Sequence, residues 1–156
     1  MSSSPSIRIL TKPVWVLDTN VVLDLLHVAD PLALPIVQAL ETERIECRAS
    51  AATLAELQRV LGYPEFCLDV QGRQEILARY QALAPGIEAP PAVDLPRCRD
   101  ADDQKFLDLA VMAGAGVLVS KDRALLKLAG RGRLPFRILS PQQAAAELAG
   151  PDALRP

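Results

Sequence analysis

Apolar residues recur along the chain in two patterns, short continuous runs and longer stretches with helical spacing. Strands are predicted over residues 14–17, 45–49, 117–120 and 136–139, and the first and third of these begin with an unbroken apolar run. A short apolar run that ends at polar or turn residues is typical of a strand buried on both faces. Between the runs, apolar residues three or four positions apart predict helices. Strands alternating with helices predict an α/β fold, with a mostly parallel sheet covered by helices on both faces.

Capping residues predict where several helices begin. Asp30-Pro31 resembles an N-cap followed by proline in the first helical position, and opens a helix predicted to reach residue 43. Ser50 is placed to cap the next helix, which Gly62 ends. Further helices are predicted over residues 72–83, from residue 102 or 103 to residue 113, and over residues 122–128 and 141–148. The proline-rich residues 87–99 are predicted to connect two elements inside the domain.

The length and composition fit one compact domain. The chain has 156 residues, half of them hydrophobic, and we expect a domain over residues 14–149 between flexible tails 1–13 and 150–156. The serine-rich N-terminal tail lacks the apolar run of a signal peptide, and no stretch has the roughly 18 apolar residues of a membrane span. Three cysteines without CxxC spacing predict buried, reduced thiols. We therefore expect a cytoplasmic protein with no membrane partner.

The net charge alone does not indicate a nucleic-acid partner. It is −2 at pH 7, and only the distribution of charge is informative. Residues 97–133 carry eight lysines and arginines against five aspartates. Cations bound to some of those aspartates would leave a positive surface for a polyanion. An ordinary solvated, arginine-rich surface remains an equal alternative.

Four acidic residues are placed where the predicted topology could bring them to one edge of the sheet. Asp18 ends the first strand, Asp122 follows the third, Glu56 lies two turns into the helix after the second, and Asp103 opens the helix before the third. Two carboxylates about 4 Å apart repel by about 4 kcal/mol at an effective dielectric near 20. Raised pKa values or a bound cation relieve that repulsion. Asp103 and Asp122 could instead cap helices, and Glu56 could lie on a solvated face.

The residue types of this cluster favour one kind of metal. Carboxylate oxygens suit Mg²⁺ or Mn²⁺, and a single histidine without clustered cysteines argues against zinc. Mg²⁺ held by carboxylates polarises a phosphodiester and generates hydroxide from bound water, whether as one ion or two. The sequence thus predicts metal-dependent phosphodiester hydrolysis.

Four motifs, in this order, resemble those of the PIN-domain family. Residues 16–21 (Val-Leu-Asp-Thr-Asn-Val) resemble the opening motif, and residues 50–57 the second. Residues 100–110 resemble the third motif, and residues 117–122 followed by two leucines the fourth. The resemblance runs from about residue 14 to residue 148. It is strongest to the bacterial subgroup of toxin–antitoxin toxins, the VapC-like ribonucleases.

The resemblance implies a three-layer α/β/α sandwich and a Mg²⁺- or Mn²⁺-dependent endoribonuclease. It also implies RNA as substrate, an antitoxin protein as partner and a homodimer. By position, four residues become catalytic metal ligands: Asp18, Glu56, Asp103 and Asp122. Two more become hydrogen-bonding support for water, metal or phosphate: Asn20 and Ser120.

Asp103 is chosen over its neighbours by spacing. The family pattern has an apolar residue three positions on and a small residue seven positions on, which Phe106 and Ala110 supply. Neither Asp100 nor Asp102 has that spacing. The roles of these two and of nearby Asp108 stay open, as does the RNA target.

Three other classes of protein are alternatives to a PIN-like nuclease. A haloacid-dehalogenase-type phosphatase needs Asp-x-Asp, but residue 20 is asparagine, and a response-regulator receiver needs a second acid near Asp18. A PIN-like scaffold that binds RNA or protein without cutting it remains the open alternative.

Overall fold

The computed structural model describes residues 12–87, 103–129 and 134–150. In chain order these ranges form β1 (Val14–Leu17), α1 (Thr19–Leu23), α2 (Leu34–Glu41), β2 (Glu46–Cys47), α3 (Ala51–Leu61), α4 (Val70–Leu83), α5 (Gln104–Met112), β3 (Val117–Val119), α6 (Arg123–Leu128), β4 (Arg137–Leu139) and α7 (Pro141–Ala149). Helix α1 continues as a π-helical turn, Asp24–Val28, and the 3-10 turns Pro31–Ala33 and Pro64–Phe66 precede α2 and α4.

The strands form a sheet in the order β2-β1-β3-β4, and every pairing between these four strands is parallel. In the centre, Trp15 lies opposite Val117 and Leu17 opposite Val119. Because the strands run the same way, the residues that follow β1 and β3 meet at one edge. The parallel sheet predicted from the apolar runs is confirmed.

Helices cover both faces of the sheet because successive strand residues point to opposite sides. Trp15 and Leu17 join one buried cluster with residues of α1, α2, α3, α4 and α7. Val16 and Leu118 join a second cluster with residues of α5 and α6. The chain therefore has the three-layer α/β/α architecture that was expected.

Three predicted N-caps are formed. The side chains of Asp30, Ser50 and Ser140 each accept a backbone N–H bond at the start of the turn or helix that follows. Gly114, with φ of +65°, lies just beyond α5, where a left-handed residue ends the helix at little cost.

The helix predicted from Asp30 to residue 43 was wrong in its bounds. A 3-10 turn comes first, because Pro35 has no N–H to donate to the carbonyl of Pro31. The helix then ends at Glu41, since Glu43 has φ of +60°. Other boundaries moved by one or two residues.

Helix α4 begins two residues earlier than predicted because Asp69 caps it, accepting a 2.7 Å bond from the N–H of Gly72. The cysteine prediction holds for Cys47, which is fully buried, and is wrong for Cys67, which is exposed in a left-handed turn. Cys98 and most of the proline-rich connection lie outside the described residues, as do the two tails.

Within the described ranges, no single helix combines the length and apolar character needed to cross a membrane. The segments Thr19–Val28 and Pro31–Glu41 meet those criteria only when taken together, and they are bent by 110°.

The central strand β3 offers a test of the core. Leu118 has no exposed surface and packs in the cluster of α5 and α6. We expect Leu118→Ala to lower the free energy of unfolding by about 2–5 kcal/mol, because it removes buried methyl groups and leaves a cavity. Urea unfolding measures this. Val70→Ala, at a residue that is 61% exposed, should change it by less than about 0.5 kcal/mol. Equal effects of the two substitutions would contradict this assignment of the core.

Candidate active site

Asp18 is the buried acid at the carboxyl edge of the sheet. It directly follows β1, is only 3% exposed, and its N–H donates a 2.9 Å bond to the carbonyl of Val119. It occupies the N-cap position of α1, but its side chain makes no capping bond. The carboxylate is therefore available to the residues across the edge.

Ser120 joins the ends of the two central strands. Its hydroxyl donates a 2.6 Å hydrogen bond to Oδ2 of Asp18 and accepts a 2.9 Å bond from the N–H of Asp122. Ser120 has no exposed surface. In the structure it thus positions the Asp18 carboxylate. Asn20, predicted to support the site, is exposed at the start of α1.

Asp122 caps helix α6, the structural role that the sequence allowed as an alternative to metal binding. Its Oδ1 accepts a 2.7 Å bond from the N–H of Ala124 at the start of α6. Its charge also acts on Asp18, which places the two carboxylates at the same edge. Capping uses one oxygen, so it does not exclude a second role.

Glu56 does not lie on a solvated helix face. Its side chain is 11% exposed, and its two oxygens have different partners. Oε2 accepts a 2.6 Å bond from the hydroxyl of Thr19, and Oε1 lies 2.5 Å from Nζ of Lys105. Arg59, one turn further along α3, approaches to 3.8 Å.

Asp103 is buried, at 7% exposure, in the N-cap position of α5, but its side chain does not cap that helix. Helix α5 packs against β1 and α3. Asp108 is half-buried and accepts a 3.3 Å bond from Gln104 within the same helix. The competing candidates Asp100 and Asp102 lie outside the described residues.

Burial is the main reason that the pKa of Asp18 is raised above 3.8. The bonds from Ser120 and from the N–H of Thr19 lower that pKa, and the charges of Glu56 and Asp122 raise it. Both acids therefore act on Asp18 through space, although they lie 38 and 104 positions away in sequence. The structure brings these three predicted residues into one electrostatic cluster.

Four further residues of this edge were missed by the sequence analysis. Thr19 and Lys105 hold Glu56, and Nζ of Lys121 lies 2.9 Å from Oδ2 of Asp24. Asp24 is 8% exposed and begins the π-helical turn, a feature frequent at functional sites. An isolated aspartate within an apolar helical segment was the signal that could have drawn attention to it.

The donor set at this edge suits a hard divalent cation, because it consists of carboxylate and hydroxyl oxygens. In the parts of the chain that the structure describes, however, no three histidine, cysteine or acidic side chains converge as ligands of one ion. Glu56 is directed to Thr19 and Lys105 instead. The edge therefore has the oxygen ligands that a metal site needs, but one of these carboxylates, that of Glu56, is paired with Lys105.

The parallel sheet has a carboxylate cluster beyond the ends of its strands. This arrangement places the protein in the class of α/β proteins that bind ligands at the carboxyl edge of the sheet. The family model of the PIN domain matches residues 14–124, more than half of the chain. The chain therefore belongs to the PIN-domain family, as its four motifs indicated.

Two of the solved structures that share the fold illustrate the similarity. One is VapBC2 from Rickettsia felis, bound to a DNA fragment from their promoter, with 14% identity, a TM-score of 0.57, and coverage of 81% of this chain and 98% of that one. The other is PAE2754 from Pyrobaculum aerophilum, with 17% identity, a TM-score of 0.58, and coverage of 88% and 90%. No curated protein sequence matches the chain.

The raised pKa of Asp18 predicts how the metal-free protein responds to pH. At low pH the carboxyl is protonated in the folded and unfolded states, and burial costs little. As the pH rises from 3.8 through the raised pKa, the unfolded state ionises first and stability is lost. We expect Asp18→Asn, which carries no charge, to raise the Tm in EDTA at pH 7 by roughly 2–4 °C, equivalent to about 1 kcal/mol in a domain of this size.

The difference in Tm between Asp18→Asn and wild type should become smaller as the pH falls towards 4. Thermal unfolding followed by circular dichroism measures this difference. Asp69→Asn is the matched control, because asparagine also caps a helix and residue 69 is exposed. A lower Tm for Asp18→Asn than for wild type at pH 7 in EDTA would show that the ionised carboxylate stabilises the fold.

Proposed function

We propose that this protein is a metal-dependent endoribonuclease that hydrolyses RNA phosphodiester bonds. The observation that supports this best is the buried Asp18 carboxylate at the sheet edge, within electrostatic reach of Glu56 and Asp122. Acids that raise one another's proton affinity weaken the fold unless a cation compensates them. A divalent ion is the compensation that also gives such a cluster a catalytic use.

Four acids would hold Mg²⁺ or Mn²⁺: Asp18, Glu56, Asp103 and Asp122. The bound ion would polarise the phosphodiester and lower the pKa of a bound water. Ser120 holds the Asp18 carboxylate in one orientation and ties it to the backbone of Asp122. Lys121, 46% exposed beside the acids, places positive charge where an RNA phosphate would approach.

We further propose that the protein is the toxin of a toxin–antitoxin pair. The support is membership of the PIN family and a fold shared with VapBC2, whose structure includes DNA from their promoter. An antitoxin would then be its protein partner, and a gene beside this one would encode it. The homodimer and the cytoplasmic location stay predictions.

The test is cleavage of a fluorescently labelled single-stranded RNA in Mn²⁺, Mg²⁺ or EDTA. We expect cleavage with either ion and none in EDTA. Asp18→Asn should reduce the rate at least about 100-fold, since loss of even a residue that supports a metal ligand costs about 10–100-fold. Asp69→Asn should cleave like wild type, because residue 69 begins α4 and takes no part in the acidic cluster.

The competing function is a PIN-like module that binds RNA or protein without cutting it. The engagement of Glu56 by Lys105 favours it, because that pair neutralises an acid the metal would need. Metal-independent RNA binding without cleavage would support this module and contradict the nuclease. Equal cleavage by wild type and Asp18→Asn would contradict the role of the acidic cluster in cutting.

A further inference from the structure

The ion pair between Lys105 and Glu56 is unusually sheltered for this protein. The Lys105 side chain is 22% exposed, less than the basic partner in any other ion pair within the described ranges. Glu56 is 11% exposed. The pair joins α5 to α3 across 49 positions of sequence. Such a pair is held by the packing of two helices and differs from a mobile surface contact.

The two oxygens of Glu56 have partners of different character. The Thr19 hydroxyl on Oε2 is neutral and can remain in place when the other oxygen binds a cation. The Lys105 ammonium on Oε1 is itself a cation. It therefore stands in the position that a metal ion needs.

We propose that Lys105 is an internal cation that competes with the divalent ion for the Glu56 carboxylate. Metal binding through Glu56 then requires the Lys105–Glu56 pair to open, since an ammonium group and a divalent ion at the same oxygen repel each other. The four-carbon stem of a lysine allows the ammonium to move away while the helix stays in place. This inference rests on the proposed metal-dependent function.

The competition explains two observations together. Glu56 lies within electrostatic reach of Asp18, yet the described residues contain no group of three ready metal ligands. In the metal-free protein, Lys105 supplies positive charge to a cluster whose acids would otherwise repel. The same ion pair keeps the Glu56 carboxylate from acting as a metal ligand until a divalent ion displaces the ammonium of Lys105.

Lys121 is the matched control for the charge of Lys105. It also forms a 2.9 Å ion pair at this edge, but its partner is Asp24 and its side chain is 46% exposed. Lys121→Gln removes the same unit of charge from the neighbourhood and leaves the partners of Glu56 unchanged. Lys105→Arg keeps the charge at Glu56.

The experiment is calorimetric titration of Mn²⁺ into the RNA-free, EDTA-treated full-length protein at fixed ionic strength. We expect Lys105→Gln to bind Mn²⁺ about fivefold more tightly than wild type, the gain from removing a sheltered ion pair. Lys121→Gln should change the Kd by less than about twofold. Lys105→Arg should bind like wild type.

Thermal unfolding provides a second readout. Without Lys105, only the more distant Arg59 compensates the charge of Glu56. Lys105→Gln should therefore have a lower Tm than wild type in EDTA and a larger rise in Tm on adding Mn²⁺. Lys105→Met, which keeps much of the apolar stem, serves if Lys105→Gln does not fold.

Equal Kd values for wild type and Lys105→Gln would overturn the competition and leave the nuclease proposal intact. The same applies if Lys121→Gln tightens binding as much as Lys105→Gln, since the effect would then be general charge. If no protein binds Mn²⁺ and wild type cuts no RNA, the proposed function itself fails, and this inference with it.

Discussion

The burial of the Asp18 carboxylate is the constraint on which the rest of the site depends. An ionised group removed from water costs several kcal/mol unless hydrogen bonds or opposite charges compensate it. Here a 2.6 Å bond from Ser120 compensates it in part, and the raised pKa shows that the compensation is incomplete. The arrangement of β1 and β3 makes this bond possible, because the two neighbouring parallel strands end together and place Asp18 beside Ser120. A site that weakens its own fold is expected where selection acts on function.

Much of the fold could be predicted from the sequence because its determinants are local. The runs that form β1 and β3 are continuous and apolar, and Ser50 and Ser140 cap the helices beside them. Asp18 could be singled out because no structural role explains an acid directly after a buried strand. The errors came from competing local effects, such as the missing N–H of Pro35 in the helix after Asp30.

The contacts of the candidate site could not be predicted in the same way because they join distant segments. Lys105 is 49 positions from Glu56, and Lys121 is 97 positions from Asp24. Nothing in a helical pattern indicates which lysine will face another helix. In the sequence, both lysines are only part of a locally basic segment. That each pairs with a particular acid is evident only from the structure.

Lys105 and Lys121 also affect how a protein of net charge −2 could bind a polyanion. Each acid at the edge that pairs with a lysine or arginine contributes little net field, as for Glu56 with Lys105 and Arg59. Among the described residues, Asp18 and Asp122 form no ion pair, and a divalent ion would neutralise their charge. If that ion also bound Glu56, the ammonium of Lys105 would lose its partner. The edge would then change from acidic to cationic, and an attractive field for phosphate would arise only in the metal-bound state.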